Sequence, residues 1–225
     1  MSLQTILSIC ESVGINDQRF VGQTVSRNQK IVTSEVMTVV PFVFELRPMN
    51  YLLYSQNRGT LNGLRIADKS QEQYINFGST GWLNYVKYQG DMTPAQIAAC
   101  LWQSSSAQKN LVLGSLPSIL SSAYLFRVGD FVQFGRYSYI VTADVLRGSS
   151  PTVVVPVHRN LIAGTASTVP LVAGQFGSTT AFTDTYTGIT FPVVLREYPA
   201  YNLVPMTNDS FIQWDGAFKA FESVL

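Results

Sequence analysis

His158 is the only histidine in the sequence, so any Ser-His-Asp or Cys-His relay would have to pass through it. It lies in Val153-Val154-Val155-Pro156-Val157-His158-Arg159, a strand-like run, and no G-x-S-x-G elbow supplies an exposed serine. A structural histidine on a strand is the reading these neighbours favour. One histidine cannot furnish the two or three that a zinc centre draws on. Cys10 and Cys100 stand far apart, outside any C-x-x-C or Cys/His spacing, and are expected as reduced, buried thiols. Neither G-x-x-x-x-G-K-[ST] nor G-x-G-x-x-G occurs, so no glycine-cradled phosphate site is expected. The expectation is a chain with no metal and no cofactor. Carboxylates remain: Asp130, Asp144, Glu197 and Asp215 could pair across a cleft, as the two acids of glycoside hydrolysis do at about 5 to 9.5 Å. Asp130 follows Gly129 and Asp215 precedes Gly216, however, positions at which turn geometry alone favours aspartate. The chain is therefore read as non-enzymatic, with no small-molecule substrate.

Aromatic residues make up 12% of the sequence. Tyr137, Tyr139, Tyr186, Tyr198, Tyr201 and Trp214 join a large apolar area to a polar tip, the combination that stacks on sugars or anchors a partner. Sheet propensity accounts for the same residues. Tyr137, Tyr139, Trp214 and Phe218 are the candidate interface residues. Basic and aromatic residues mix only around Arg127, Arg136 and Tyr137, too few for a nucleic-acid surface. The net charge of +1, from 15 basic and 14 acidic residues, gives no field to gather nucleic acid or an anionic membrane. Asn208-Asp209-Ser210 has the form of a glycosylation acceptor, a common accident. No Lys or Arg precedes Arg19, so a secretory leader is not expected. No apolar stretch reaches the roughly 18 residues of a bilayer span, and the expectation is a protein assembled in a reducing cytoplasm.

These residues must be held by a core, and 225 residues suffice for one. Folding at this size removes roughly 70% of the unfolded surface without help from disulfides or metals. Only 13% of residues are charged, against about 25% in an average soluble domain. That deficit excludes a disordered acidic tail and favours a surface covered by other chains.

Leu3, Ile6, Leu7 and Cys10 have helical spacing, with Gly14 as the expected cap. A long hairpin is expected over residues 20–46, around the polar turn Ser26-Arg27-Asn28-Gln29, with Pro41 at an edge or bulge. Asn50 is expected to cap a helix over 51–69, followed by strands at 71–77 and 82–89. Thr93-Pro94 has the form of a helix start for 95–102. From Phe131 onward, short alternating strands punctuated by glycine suggest a small barrel, and Thr165 to Gly188 reads as a loop or arm. Strands resume at 189–198 and 203–206, and Asp215-Gly216 is expected to close a type I′ hairpin between 211–214 and 217–224.

Three segments carry a family resemblance. They are Pro41-Phe42-Val43-Phe44-Glu45-Leu46-Arg47-Pro48 leading into the Tyr51 helix; Phe126 to Gln133 with Tyr139 to Val145 and Val153 to Arg159; and Phe211 to Glu222. Together they resemble virion structural proteins of tailed bacteriophages, of the tail-tube and baseplate type. The resemblance implies a mainly β (α+β) fold: a tube-like antiparallel β-sandwich or barrel domain with one packing helix, residues 1–90 and 165–225, and an inserted small β-barrel module, residues 91–164. It implies a homo-oligomeric ring of a viral tail tube or baseplate, joined by inter-subunit sheet contacts and flanked by neighbouring tail proteins, with DNA only as passing cargo. The alternative is a carbohydrate- or receptor-binding module of a tail tip, using the tyrosines as stacking platforms.

Overall fold

A computed structural model describes residues 3–17, 21–25, 31–35, 40–66, 71–77, 85–103, 109–162, 172–173 and 189–224. The chain begins with helix α1 (Leu3–Leu7), strand β1 (Cys10–Asp17), a hairpin of β2 (Val21–Val25) and β3 (Ile31–Glu35), and β4 (Phe42–Pro48). Next come β5 (Leu52–Leu53), helix α2 (Tyr54–Ile66), β6 (Gln73–Asn76), helix α3 (Pro94–Ala99) and β7 (Leu101–Gln103). A run of short strands follows: β8 (Asn110–Gly114), β9 (Tyr124–Phe126), β10 (Phe131–Phe134), β11 (Tyr137–Ile140), β12 (Val145–Leu146), β13 (Val153–Pro156) and β14 (Val172–Ala173). The last elements are β15 (Thr190–Glu197), β16 (Ala200–Met206), β17 (Asp209–Asp215) and β18 (Phe218–Glu222). The protein is mainly β, and its strand pairings are antiparallel.

The principal sheet has the order β1-β4-β18-β15-β6. Alternation along its strands puts Phe42, Phe44 and Leu46, Phe218 and Ala220, and Phe191, Val193 and Leu195 on one buried face. That face packs against Leu3, Ile6 and Leu7 of α1, Leu61 and Leu64 of α2, and Ile212 and Trp214 of β17. Phe191 is the hub of this core, its ring 5.3 Å from Phe42, 5.0 Å from Phe44 and 5.6 Å from Phe77. A second apolar cluster gathers Met92, Ile97 and Trp102 with Leu111, Leu113, Phe126 and Val155. Trp102 stacks on Phe126 at 6.3 Å and donates its indole N–H to Gln133 O at 3.0 Å.

Strands β10 and β11 are the wall between the two cores, and both of their faces are buried. Val132, Phe134, Tyr137 and Tyr139 enter the second cluster, whereas Phe131 and Ile140 pack on the first. Polar groups cross the seam in pairs. Gln133 Oε1 accepts from Thr190 N (3.0 Å), and the single proton of the Ser138 hydroxyl is shared between Gln133 Oε1 (2.8 Å) and Thr190 O (2.9 Å). Arg159 joins Glu222 of β18 through both terminal nitrogens, Nη2 to Oε1 at 2.7 Å, and both side chains are 0% exposed. The same guanidinium donates to Val40 O and Ser138 O, each at 2.8 Å, and lies 5.0 Å from the Phe42 ring and 5.1 Å from Tyr139. A charge this dry is tolerated because its partner is fully hydrogen-bonded alongside it: Glu222 Oε2 also accepts from Phe42 N at 3.0 Å.

Several expectations shift. The first helix ends at Leu7, and Gly14 lies within β1 opposite Glu45, because pairing of β1 with β4 packs Val13 and Ile15 against the core. Strands β2 and β3 pair from Val21↔Glu35 to Val25↔Ile31, so a hairpin is present, but it does not continue to residue 46: β4 pairs with β1 and β18 in another sheet, and residues 26–29 lie outside the described residues. Pro41 directly precedes β4, an interior strand between β1 and β18, so it stands at a strand start. Asn50 does not cap α2: its Oδ1 accepts from Trp214 N at 3.0 Å, and the cap comes from Asp209, which accepts from Ser55 N (3.2 Å) and Ser55 Oγ (2.6 Å). The helix is described to Ile66; its expected end at Lys69 lies outside the described residues. Residues 85–89 form no strand, since Gln89 N is bonded to the Asp130 carboxylate (2.8 Å), and 82–84 lie outside the described residues. Thr93 and Gln96 form a complete capping box at α3, which stops at Ala99 so that Trp102 sits on β7. Of residues 165–188, only 172 and 173 are described, and they pair with β10. Asp215-Gly216 closes no hairpin: β17 pairs with β16 and β5, β18 with β15 and β4, and Gly216 at φ 123 turns the chain from one sheet to the other.

Candidate functional site

The residues with chemical potential are used structurally. His158 Nδ1 accepts from Ile140 N at 3.0 Å, and the ring lies 5.3 Å from Phe42, so it completes the strand pairing at the seam. Asp130 is buried; its two oxygens accept from Gln89 N and Arg127 N, both at 2.8 Å. Burial raises its pKa, partly offset by those two amides. Asp144 Oδ1 accepts from Val128 N at 2.9 Å, closing a neighbouring turn. Glu197 pairs with Lys219 at 2.9 Å on the surface. Glu197 and Asp215 do come together, at an open depression of about 560 Å³ on the outer side of β4, β18 and β15, with Glu45, Arg47, Arg196 and Lys219. Acids and bases there are evenly mixed and largely exposed, the arrangement of a solvated sheet face. Among the described residues no group of three His, Cys, Asp or Glu is placed to hold a metal ion. Cys10 and Cys100 are free and buried, and burial pushes the Cys10 thiol up to about 12.

The four aromatic interface candidates are core residues in this chain. Tyr137 and Tyr139 point into the second cluster, and Trp214 and Phe218 meet in the first with ring centroids 5.3 Å apart. Tyr139 has its hydroxyl occupied as the acceptor of Ile162 N (3.1 Å), and burial raises it to about 12. Tyr198 donates to Leu61 O, and Tyr201 packs edge-on to Trp214. Tyr186 lies outside the described residues. The four interface candidates are thus buried in this chain, whereas Tyr198 and Tyr201 are half-buried.

Backbone at a strand edge is also available for contact. Strand β1 pairs with β4 from Ser12↔Arg47 to Asp17↔Phe42, and its other edge meets no strand among the described residues. At the opposite margin of the sheet, β6 is stoppered: Asn76 N donates to Gln4 Oε1 (2.8 Å), and Gln4 Nε2 donates to Asn76 O (2.7 Å). A side-chain amide thus does there what a neighbouring strand would do. Among the described residues the sheet is open along β1, while at Asn76 its other margin is closed. Glu11 and Asp17 are exposed near the ends of β1, and a two-fold pairing of β1 with itself about Gly14 would set each Glu11 opposite an Asp17. Sequence reasoning misses this surface because the spacing from Leu3 to Cys10 reads as a helix that Gly14 would cap. The alternation of Val13 and Ile15 with Ser12, Gly14 and Asn16 is the signal that could have found it. No helix among the described residues is long and apolar enough to cross a membrane. No family model matches the chain, and no curated protein matches its sequence.

Proposed function

We propose that this chain is a non-enzymatic structural protein of a tailed-phage particle, a subunit of an oligomeric ring in the tail tube or baseplate. Residues 1–90 and 165–225 form the tube-like β domain in this reading, and 91–164 the inserted module; the second apolar cluster, whose buried members run from Met92 to Ile162, supports that division, while Phe131 packs in the first cluster and β14 pairs with β10 across it. The observation that carries the proposal is the asymmetry of the principal sheet, open along β1 and closed at β6. Like charges oppose two-fold pairing of β1 about Gly14, which favours a head-to-tail contact in which β1 meets a different surface of the next copy, and such contacts form rings where the rotation closes. Few charges in the sequence fit the same role. Neighbouring tail proteins would cover the remaining faces, and DNA would pass through the channel without specific contacts.

Size-exclusion chromatography with light scattering, joined to negative-stain microscopy, tests this on the purified chain. Closed oligomers at high concentration are expected. Ser12→Lys with Asn16→Lys, two exposed positions on β1, should lower their yield by placing charge along the open edge. A chain that stays monomeric at every concentration, alone and with its neighbours, contradicts the proposal.

A further inference from the structure

Strands β16 and β17 form a two-residue-turn hairpin, paired from Ala200↔Asp215 to Met206↔Asp209, with Asn208 in the left-handed conformation at φ 67. β16 is the outer strand of its sheet, and Leu203, Val204 and Met206 are 43%, 39% and 41% exposed. Ala-Tyr-Asn-Leu-Val-Pro-Met contains no charged residue, so this edge lacks the lysines that usually discourage strand addition. The direction of its backbone groups follows from the pairing. Tyr51 N donates to Ile212 O at 2.8 Å, so the polar groups of Ile212 face β5, and those of Leu203, directly opposite, face away from the sheet. Steps of two along the strand put Tyr201 and Pro205 on that same outward side; Pro199 precedes the strand and is buried. Pro205 lacks an N–H. Along β16 only Tyr201 and Leu203 offer outward donors.

We propose that Pro205 is an edge guard, which hinders this apolar, uncharged strand from extending its ladder through added strands of other copies. It removes the outward donor nearest the turn of the hairpin, so an incoming strand finds two amides where an unguarded edge of this length would offer three. This edge is distinct from β1, and the variants below are compared with the wild-type chain, so the guard stands or falls separately from ring formation.

Pro205→Thr restores the missing donor with a residue suited to strands. The variant is expected to self-associate with an apparent constant about tenfold above wild type in sedimentation velocity. Adding Leu203→Lys should return it to the wild-type profile, because a charge on the same edge blocks strand addition. That reversal separates edge pairing from aggregation through unfolding, which a surface lysine would not cure. A Pro205→Thr variant with a wild-type far-UV spectrum and an unchanged sedimentation profile overturns the proposal, as does association that Leu203→Lys leaves in place. If Pro205→Thr loses its far-UV spectrum, Pro205→Ser is judged on the same two readouts.

Discussion

Glu222→Ala is the perturbation with the largest calculable effect. Arg159 and Glu222 are both wholly buried, and the alanine leaves a guanidinium in the seam with only Val40 O and Ser138 O as acceptors. It also strips Phe42 N of its partner. Removing one member of a buried ion pair costs about 3–5 kcal/mol. At this chain length each kcal/mol moves Tm by about 2–4 °C, so the melt should fall by roughly 6–20 °C. Arg159→Met with Glu222→Leu removes both charges and should recover part of the loss, although Val40 O, Ser138 O and Phe42 N then lack partners; a double-mutant cycle should return a coupling of about 1–3 kcal/mol. Urea unfolding gives a sharper readout, because Trp214 reports the first core and Trp102 the second. With Glu222→Ala, the two tryptophans, each followed with the others replaced by phenylalanine, should part in midpoint. A single variant within about 0.5 kcal/mol of wild type, or strictly additive substitutions, would refute the reasoning.

Gly59 lies inside α2 with open space where an added methyl would stand, so Gly59→Ala should stabilise the protein by about 0.5–1 kcal/mol in urea titration. Gly90→Ala should instead destabilise by about 1–3 kcal/mol in the same assay, because the added carbon would stand 2.7 Å from the carbonyl oxygen of Leu125. Asp209 is held below the usual carboxylate range, first by the Ser55 hydroxyl and then by backbone amides, so it stabilises the fold above the unfolded-state pKa of about 3.9 and loses that effect as pH falls through its lower folded value; thermal melts of Asp209→Asn should lie below wild type at neutral pH and converge with it in acid. Cys10 and Cys100, both buried, should resist a thiol reagent at pH 8 in the native protein and react fully in denaturant.

Local chemistry is legible in the sequence where it is self-contained. Thr93, Pro94 and Gln96 spell a helix start within four residues, and the capping box forms as written. The pairing of β2 with β3, on either side of the polar run at 26–29, likewise follows from nearby residues. Features set by distant pairing are not legible. Asp215-Gly216 has hairpin chemistry, yet the chain uses it as a corner because β18 finds β4 and β15 instead of β17. Tyr137 and Tyr139 alternate with Ser138 and Ile140 as a half-exposed strand would, and only the tertiary structure reveals that both faces are covered. The Arg159–Glu222 pair does leave a trace in the sequence. Glu222 shares the parity of Phe218 and Ala220, and Arg159 that of Val155 and Val157, so each charge stands where an apolar residue is due.

Amide hydrogen exchange along Ser12–Asp17 tests the assembly most directly, compared between the associated protein and the same chain diluted to monomer. If a neighbouring copy completes the principal sheet at β1, the amides directed away from β4 become strongly protected on association while that of Asn76, already bonded to Gln4, does not change. Equal exchange along β1 in the two states would contradict the account.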